Sequence, residues 1–161
     1  MSAWVLIVVA TCVLVFVMAA LWGRQRQTGN AGTVDIAWSF GTGVSGLWLA
    51  LAPLQSAASY SSRQVLVALM IAIWAVRLGT HVWQRVTSEE EDGRYRDLRT
   101  SWGDDLQRRL FLFFQVQAFA AILFALPVFI AARNPNPGLA WTDYLGMAIW
   151  VLALAGETLA D

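Results

Sequence analysis

Residues 3–22, AWVLIVVATCVLVFVMAALW, contain no charged side chain. A run of about twenty apolar residues is the length that crosses the roughly 30 Å hydrocarbon core of a bilayer as a helix. Open-edged sheet does not survive there, because unpaired backbone N–H and C=O groups find no water. The run therefore restricts this part of the chain to transmembrane helix. Similar segments at 33–53, 64–84, 110–132 and 141–160 bring the number of predicted spans to five. Turns at 23–32, 54–63 and 133–138 and a charged loop at 85–109 join them. The expected fold class is all-α: a polytopic transmembrane helical bundle of about five spans, forming a single domain over 1–161.

Composition agrees. The chain is 58% hydrophobic and 14% charged, with a mean hydropathy of +0.55, whereas soluble domains carry about a quarter charged residues. No basic residue precedes Arg24, and the first run exceeds a typical signal-peptide core, so it is read as a retained span. Zero net charge argues against a nucleic-acid partner. Cys12 is the single cysteine. It excludes a disulfide framework and a multi-cysteine metal site, and no metal is expected; Cys12 reads as a small packing or lipid-facing residue.

All eleven basic residues are arginine. Five spans place the segments 23–32 and 85–109 on the side of the C-terminus. That side holds Arg24, Arg26, Arg85, Arg94, Arg96, Arg99, Arg108 and Arg109, against Arg63 and Arg133 on the other. Positive-inside reasoning puts the C-terminus in the cytoplasm and the N-terminus outside. Trp22, Trp83, Trp102 and Trp141 fall near span ends or in the adjoining loop, as an interfacial aromatic belt requires.

Against this apolar background, ionisable groups gather in one stretch. Arg77, His81 and Arg85 recur at i, i+4 and i+8, one slowly drifting stripe on a helix. Charges within a span usually face the bundle interior or a wet cavity; the alternatives are that Arg85 snorkels to water and that His81 is an interhelical hydrogen-bonder. Asp35, near the same membrane face, is the expected partner of Arg77 or His81. It reads either as an ion-paired carboxylate or as a protonated acid aimed at a substrate carbonyl, the plainer roles being a structural bridge to Arg77 or a helix N-cap. GTGVSG, 41–46, matches the GxGxxG string but lies in an apolar span with no βαβ unit around it. Small residues for close helix packing explain it better. EEEDGRYRDLRTSWGDD reads as a mixed-charge loop with Gly93 as a hinge, solvated and internally paired or else framing a site for a nucleotide phosphate or lipid headgroup. Tyr95 is its candidate proton donor. Glu157 and Asp161 lie four apart on one helical face, either solvated or turned toward the arginines.

The order DxxWSxG (Asp35, Trp38, Gly41), RxGxHxxxR (Arg77, Gly79, His81, Arg85), EDGRYxxLRxxWG (Glu91 to Gly103) and GExxAD (Gly156 to Asp161) resembles a bacterial branch of the steroid 5α-reductase superfamily. Members of that branch are mostly known only as a domain of unknown function. The resemblance runs from about residue 33 to the end. It implies a protein of the bacterial inner membrane that uses NADPH to reduce a C=C bond conjugated to a ketone in a lipid or steroid-like substrate. Hydride would reach the β-carbon while an acid and a tyrosine-like donor polarise the carbonyl. The acid role falls on Asp35, where characterised relatives usually carry Glu; His81 and Tyr95 are both candidates for the donor. Arg77, Arg85, Glu91, Arg94, Glu157 and Asp161 are the expected cofactor contacts. Family members continue beyond this length, with two more spans and an Arg-His-Pro-Asn-Tyr-like motif. The chain thus corresponds to about the first three-fifths of such an enzyme and is expected by itself to bind NADPH poorly or not at all. Two other classes compete: lipid or isoprenylcysteine methyltransferases, similar in overall shape and dependent on S-adenosylmethionine, and a non-catalytic membrane scaffold. Membrane lipids are the expected surroundings in every case, with the oligomeric state left open.

Overall fold

A computed structural model describes residues 2–53, 60–88, 92–136 and 138–161, and its regular elements are all helical. They are α1 (Ala3–Thr28), α2 (Thr33–Leu51), α3 (Ser62–Ser88), α4 (Gly93–Trp102), α5 (Leu106–Ala132) and α6 (Trp141–Ala160), with a 3-10 turn, Gly103–Asp105, between α4 and α5. Five helical stretches are long and apolar enough to cross a membrane: α1, α2, α3, α6 and the α4–α5 stretch. The chain is an integral membrane helical bundle.

Two helices run past their expected ends. In place of the expected turn after residue 22, α1 continues to Thr28, since Arg and Gln are good helix formers. It stops at Gly29, whose φ of 74° is left-handed and whose N–H donates to Gln25 O at 2.8 Å. Likewise α3 carries on through Ser88. The expected loop at 85–109 is corrected more substantially, because it contains α4. Asp92 starts that helix by accepting a hydrogen bond from Arg94 N at 2.9 Å, and Gly93 is its first residue rather than a hinge. Tyr95, Leu98 and Trp102, spaced i, i+3 and i+7, lay one face of α4 on the bundle core.

Around α2 the bundle is assembled from α1, α3 and α5. The glycines of GTGVSG make this possible. A Cβ on Gly43 would stand 2.2 Å from Ala75 Cβ, and one on Gly46 would stand 2.9 Å from Ile71. Gly79 does the same from α3, where a Cβ would lie 2.5 Å from the Phe40 ring. Lipid tails offer helices no hydrophobic reason to associate, so close backbone approach and hydrogen bonds decide which ones pack. Leu14, Met18, Val34, Leu110 and Phe114 fill the main core. Two indoles tie helices across it: Trp22 Nε1 donates to Gln107 O at 3.0 Å, and Trp48 Nε1 to Leu6 O at 3.1 Å.

Helix α6 stands apart, with no buried residue. Arg63, at the start of α3, holds its first turn. The guanidinium donates from Nε and Nη2 to the two carboxylate oxygens of Asp143, each at 2.8 Å, and to the carbonyls of Asn136 and Gly138 at 2.8 and 2.7 Å. The ends of α1, α3 and α6 and the starts of α2 and α5 share one end of the bundle with α4; most of the arginines lie there.

Candidate functional site

Asp35 occupies the third position of α2, so the start of that helix presents a carboxylate at the arginine-rich end. Its partners come from α4. Tyr95 donates its hydroxyl to Asp35 Oδ1 at 3.1 Å, and Arg94 Nη2 lies 3.3 Å from Oδ2. Tyr95 is 2% exposed, its ring edge-on to Phe113 with centroids 6.4 Å apart, so the hydroxyl is held by packing as well as by its bond. Arg94 is fixed in turn by Asp92, through contacts of Nε and Nη2 at 3.2 Å each. Arg85, from the last turn of α3, also reaches Asp92. These bonds hold the Asp92 carboxyl below its usual range, the Arg94 side chain first among the causes and the Arg94 backbone N–H second.

The expected stripe Arg77–His81–Arg85 is divided between two clusters. Asp35 was expected to pair with Arg77 or His81; it pairs with Arg94 and Tyr95 instead. Arg77 turns to α6, where Nη1 lies 3.0 Å from Glu157 Oε2 and Nη2 contacts Asp161. His81 Nδ1 is 3.7 Å from the same Asp161 carboxylate. The cause is rotational: four helical residues turn about 400°, so each step of the stripe drifts around α3, and by Arg85 it faces α4. Glu91 lies outside the described residues.

An open cavity of about 690 Å³ collects the first cluster. Asp35, Arg85, Asp92, Arg94 and Arg96 contribute its charges, and Trp38, Leu78 and Val82 its apolar wall. Neither Arg77 nor His81 lines it. Trp38 was legible only as a motif letter, yet its Nε1 is buried without an acceptor among the described residues, and an orphaned indole N–H is unusual in a settled interior. In volume the cavity falls within the range of small-molecule sites. Its guanidinium groups suit phosphate oxygens, so the residues present fit the phosphate-bearing part of a dinucleotide. The Glu157–Asp161 pair is taken up by Arg77 and is no part of this cavity.

The comparisons with known proteins are narrow. Neither a curated protein nor a solved structure matches the chain. One family model does, over residues 21–161; it is described as a protein of unknown function, DUF1295, and the chain belongs to that family.

Proposed function

We propose that this DUF1295 protein is an integral membrane oxidoreductase resembling the steroid 5α-reductases, reducing a C=C bond conjugated to a ketone in a lipid or steroid-like substrate. The observation that carries the proposal is the Tyr95–Asp35 hydrogen bond at 3.1 Å, made beside a cavity whose wall combines apolar side chains with arginines. NADPH, when bound, would supply the hydride to the β-carbon. The chain's own part is to polarise the carbonyl. A phenol has one proton to donate, so a ketone oxygen that takes it displaces Asp35 as the acceptor. Arg94, 3.3 Å from the other carboxylate oxygen, keeps Asp35 partnered when that happens. A donor so positioned draws electron density from the conjugated bond. This favours Tyr95 over His81 as the donor: Tyr95 lies just behind the cavity wall but bonds to Asp35 on it, whereas His81 neither lines the cavity nor lies beside Asp35. Arg85, Arg94 and Arg96 are the residues that would meet the cofactor's phosphates. The proposed orientation has this cavity opening to the cytoplasm, where the nucleotide is.

The test is an enone-dependent NADPH oxidation assay on the protein expressed from its complete open reading frame and reconstituted in nanodiscs. Tyr95→Phe should lower kcat by about 10²- to 10⁴-fold, while His81→Ala should leave it within a few-fold. Methyl transfer from S-adenosylmethionine with no NADPH oxidation would establish the methyltransferase reading instead. Neither activity in the wild-type protein, with a phenotype unchanged in Tyr95→Phe and Asp35→Asn, would leave a scaffold.

A further inference from the structure

Two further hollows lie along α1 and α2 and meet at Ala37, and the second of them borders the Asp35 cavity. The deeper one, about 530 Å³, is walled on α1 by Val9, Val13 and Val17 and on α2 by Phe40, Val44 and Trp48. The other, about 470 Å³, lies at the arginine-rich end, where Arg24 and Thr28 of α1, Asn30, Thr33 of α2 and Trp83 and Thr87 of α3 surround it. Ala37 lines both, so an apolar groove inside the membrane runs directly into a polar hollow at its edge.

We infer that this joined groove is a seat for one anionic membrane phospholipid, its phosphate at Arg24 and Thr33 and one acyl chain along the α1–α2 groove. Three observations select that occupant. Arg24 is exposed, and no carboxylate among the described residues pairs with it, unlike Arg63, Arg77, Arg85 and Arg94. Thr33 Oγ1, in the same hollow, is buried and has no hydrogen-bond partner among the described residues, leaving a donor for a phosphate oxygen. From Ala37 to Trp48, α2 rises about 16 Å, room for most of an acyl chain. A guanidinium beside a hydroxyl at the membrane interface recognises a phosphate, while the groove below it accepts only an apolar chain. Gly41 keeps that groove shallow and the two helices close, since a Cβ there would lie 2.7 Å from Leu14 Cδ2. The inference stands independently of the reductase reading, although the polar hollow shares Asn30 and Val86 with the Asp35 cavity.

Native mass spectrometry of the protein released from nanodiscs of equal phosphatidylglycerol and phosphatidylcholine tests it. One phosphatidylglycerol should be retained in preference to phosphatidylcholine. Arg24→Gln should weaken that preference about fivefold. Val13→Trp, which fills the groove at a position 57% exposed and so spares the core, should reduce retention of both lipids. Excess glycerophosphoglycerol, a headgroup without chains, should fail to displace the lipid. A preference unchanged in Arg24→Gln, retention unchanged in Val13→Trp, displacement by the bare headgroup, or a dimer that excludes lipid would each overturn the assignment.

Discussion

Helices α2 and α6 have equal mean hydropathy over their apolar windows, 1.2, yet 44% of the α2 window is buried and none of the α6 window. Hydrophobicity brings both into the membrane and says nothing about which one packs. The small residues of α2 decide that. Ser39, Thr42, Gly43, Ser45 and Gly46 are buried there, whereas Gly146 and Gly156 of α6 have nothing within 4 Å of a Cβ position. Helix α6 is attached differently, through long polar side chains. On α3, Arg77 follows Arg63 by fourteen places and His81 follows Arg77 by four; on α6, Glu157 follows Asp143 by fourteen and Asp161 follows Glu157 by four. Eighteen residues make five full helical turns, so both ends of each ladder return to one face. Two ion-paired rungs, Arg63–Asp143 and Arg77–Glu157, thus join two parallel helices that hardly touch through their backbones, with His81 Nδ1 3.7 Å from Asp161 at the far end.

The sharpest break in the comparison is steric. Gly43→Leu should destabilise the bundle by about 3 kcal/mol, because Ala75 already occupies the space and the neighbours are backbone and a methyl. Gly146→Leu on α6 should change stability by less than about 0.5 kcal/mol. Unfolding by SDS titration in mixed micelles measures both. Equal effects would mean that α2 and α6 do not differ in the way described. Next comes the outer rung. Arg63→Ala leaves Asp143 and two backbone carbonyls without their donor, so α6 should come away from α3 while the rest of the bundle keeps its fold. Proteolysis within 133–140 should then accelerate, with the α1–α5 fragment remaining resistant; a resistant loop would mean that something other than Arg63 holds α6.

The spans were legible because twenty apolar residues permit little else. Their ends were not, since arginines and glutamines after Trp22 and Trp83 continue a helix as readily as they leave one. Helix α4 was hidden by its charge: four of its ten residues are Arg or Asp, and a mixed-charge run reads as a loop. Its signal was nonetheless present in Asp92 as a cap and in the i, i+3, i+7 spacing of Tyr95, Leu98 and Trp102. Of the candidate site, Asp35, Tyr95, Arg85 and Arg94 do converge. Arg77, His81 and Arg85 do not form one lining, because their drift around α3 divides them between two neighbours. The ladder spacing that pairs Arg77 with Glu157 stands in the sequence, but only knowledge that α3 and α6 run side by side gives it meaning.

A smaller effect belongs to the inner rung. Arg77 is 17% exposed in its side chain and Glu157 47%, so the pair is partly screened and Arg77→Gln should weaken α6 docking by about 1 kcal/mol or less. The exchange Arg77→Glu with Glu157→Arg should recover less than the wild-type value, because Asp161 would then face an acid. Proteolysis of the same 133–140 loop ranks the variants, and a larger effect from Arg77 than from Arg63 would invert the order of the rungs.

The smallest effect distinguishes α4 from both helices, because its anchor titrates. The Arg94 side chain and backbone N–H hold the Asp92 carboxyl below its usual range, so folding favours the ionised form. The stabilisation is therefore complete above the unfolded value of about 3.9 and is lost as pH falls through the lower value of the folded state. Amide protection of α4, corrected for intrinsic exchange, should stay level from about pH 8 to pH 5 and decline below about pH 4. Asn still caps a helix but carries no charge for Arg94 and Arg85, so Asp92→Asn should show weaker protection that no longer declines with acid. A decline of the same size in Asp92→Asn would mean that Asp92 is not the source of the acid sensitivity.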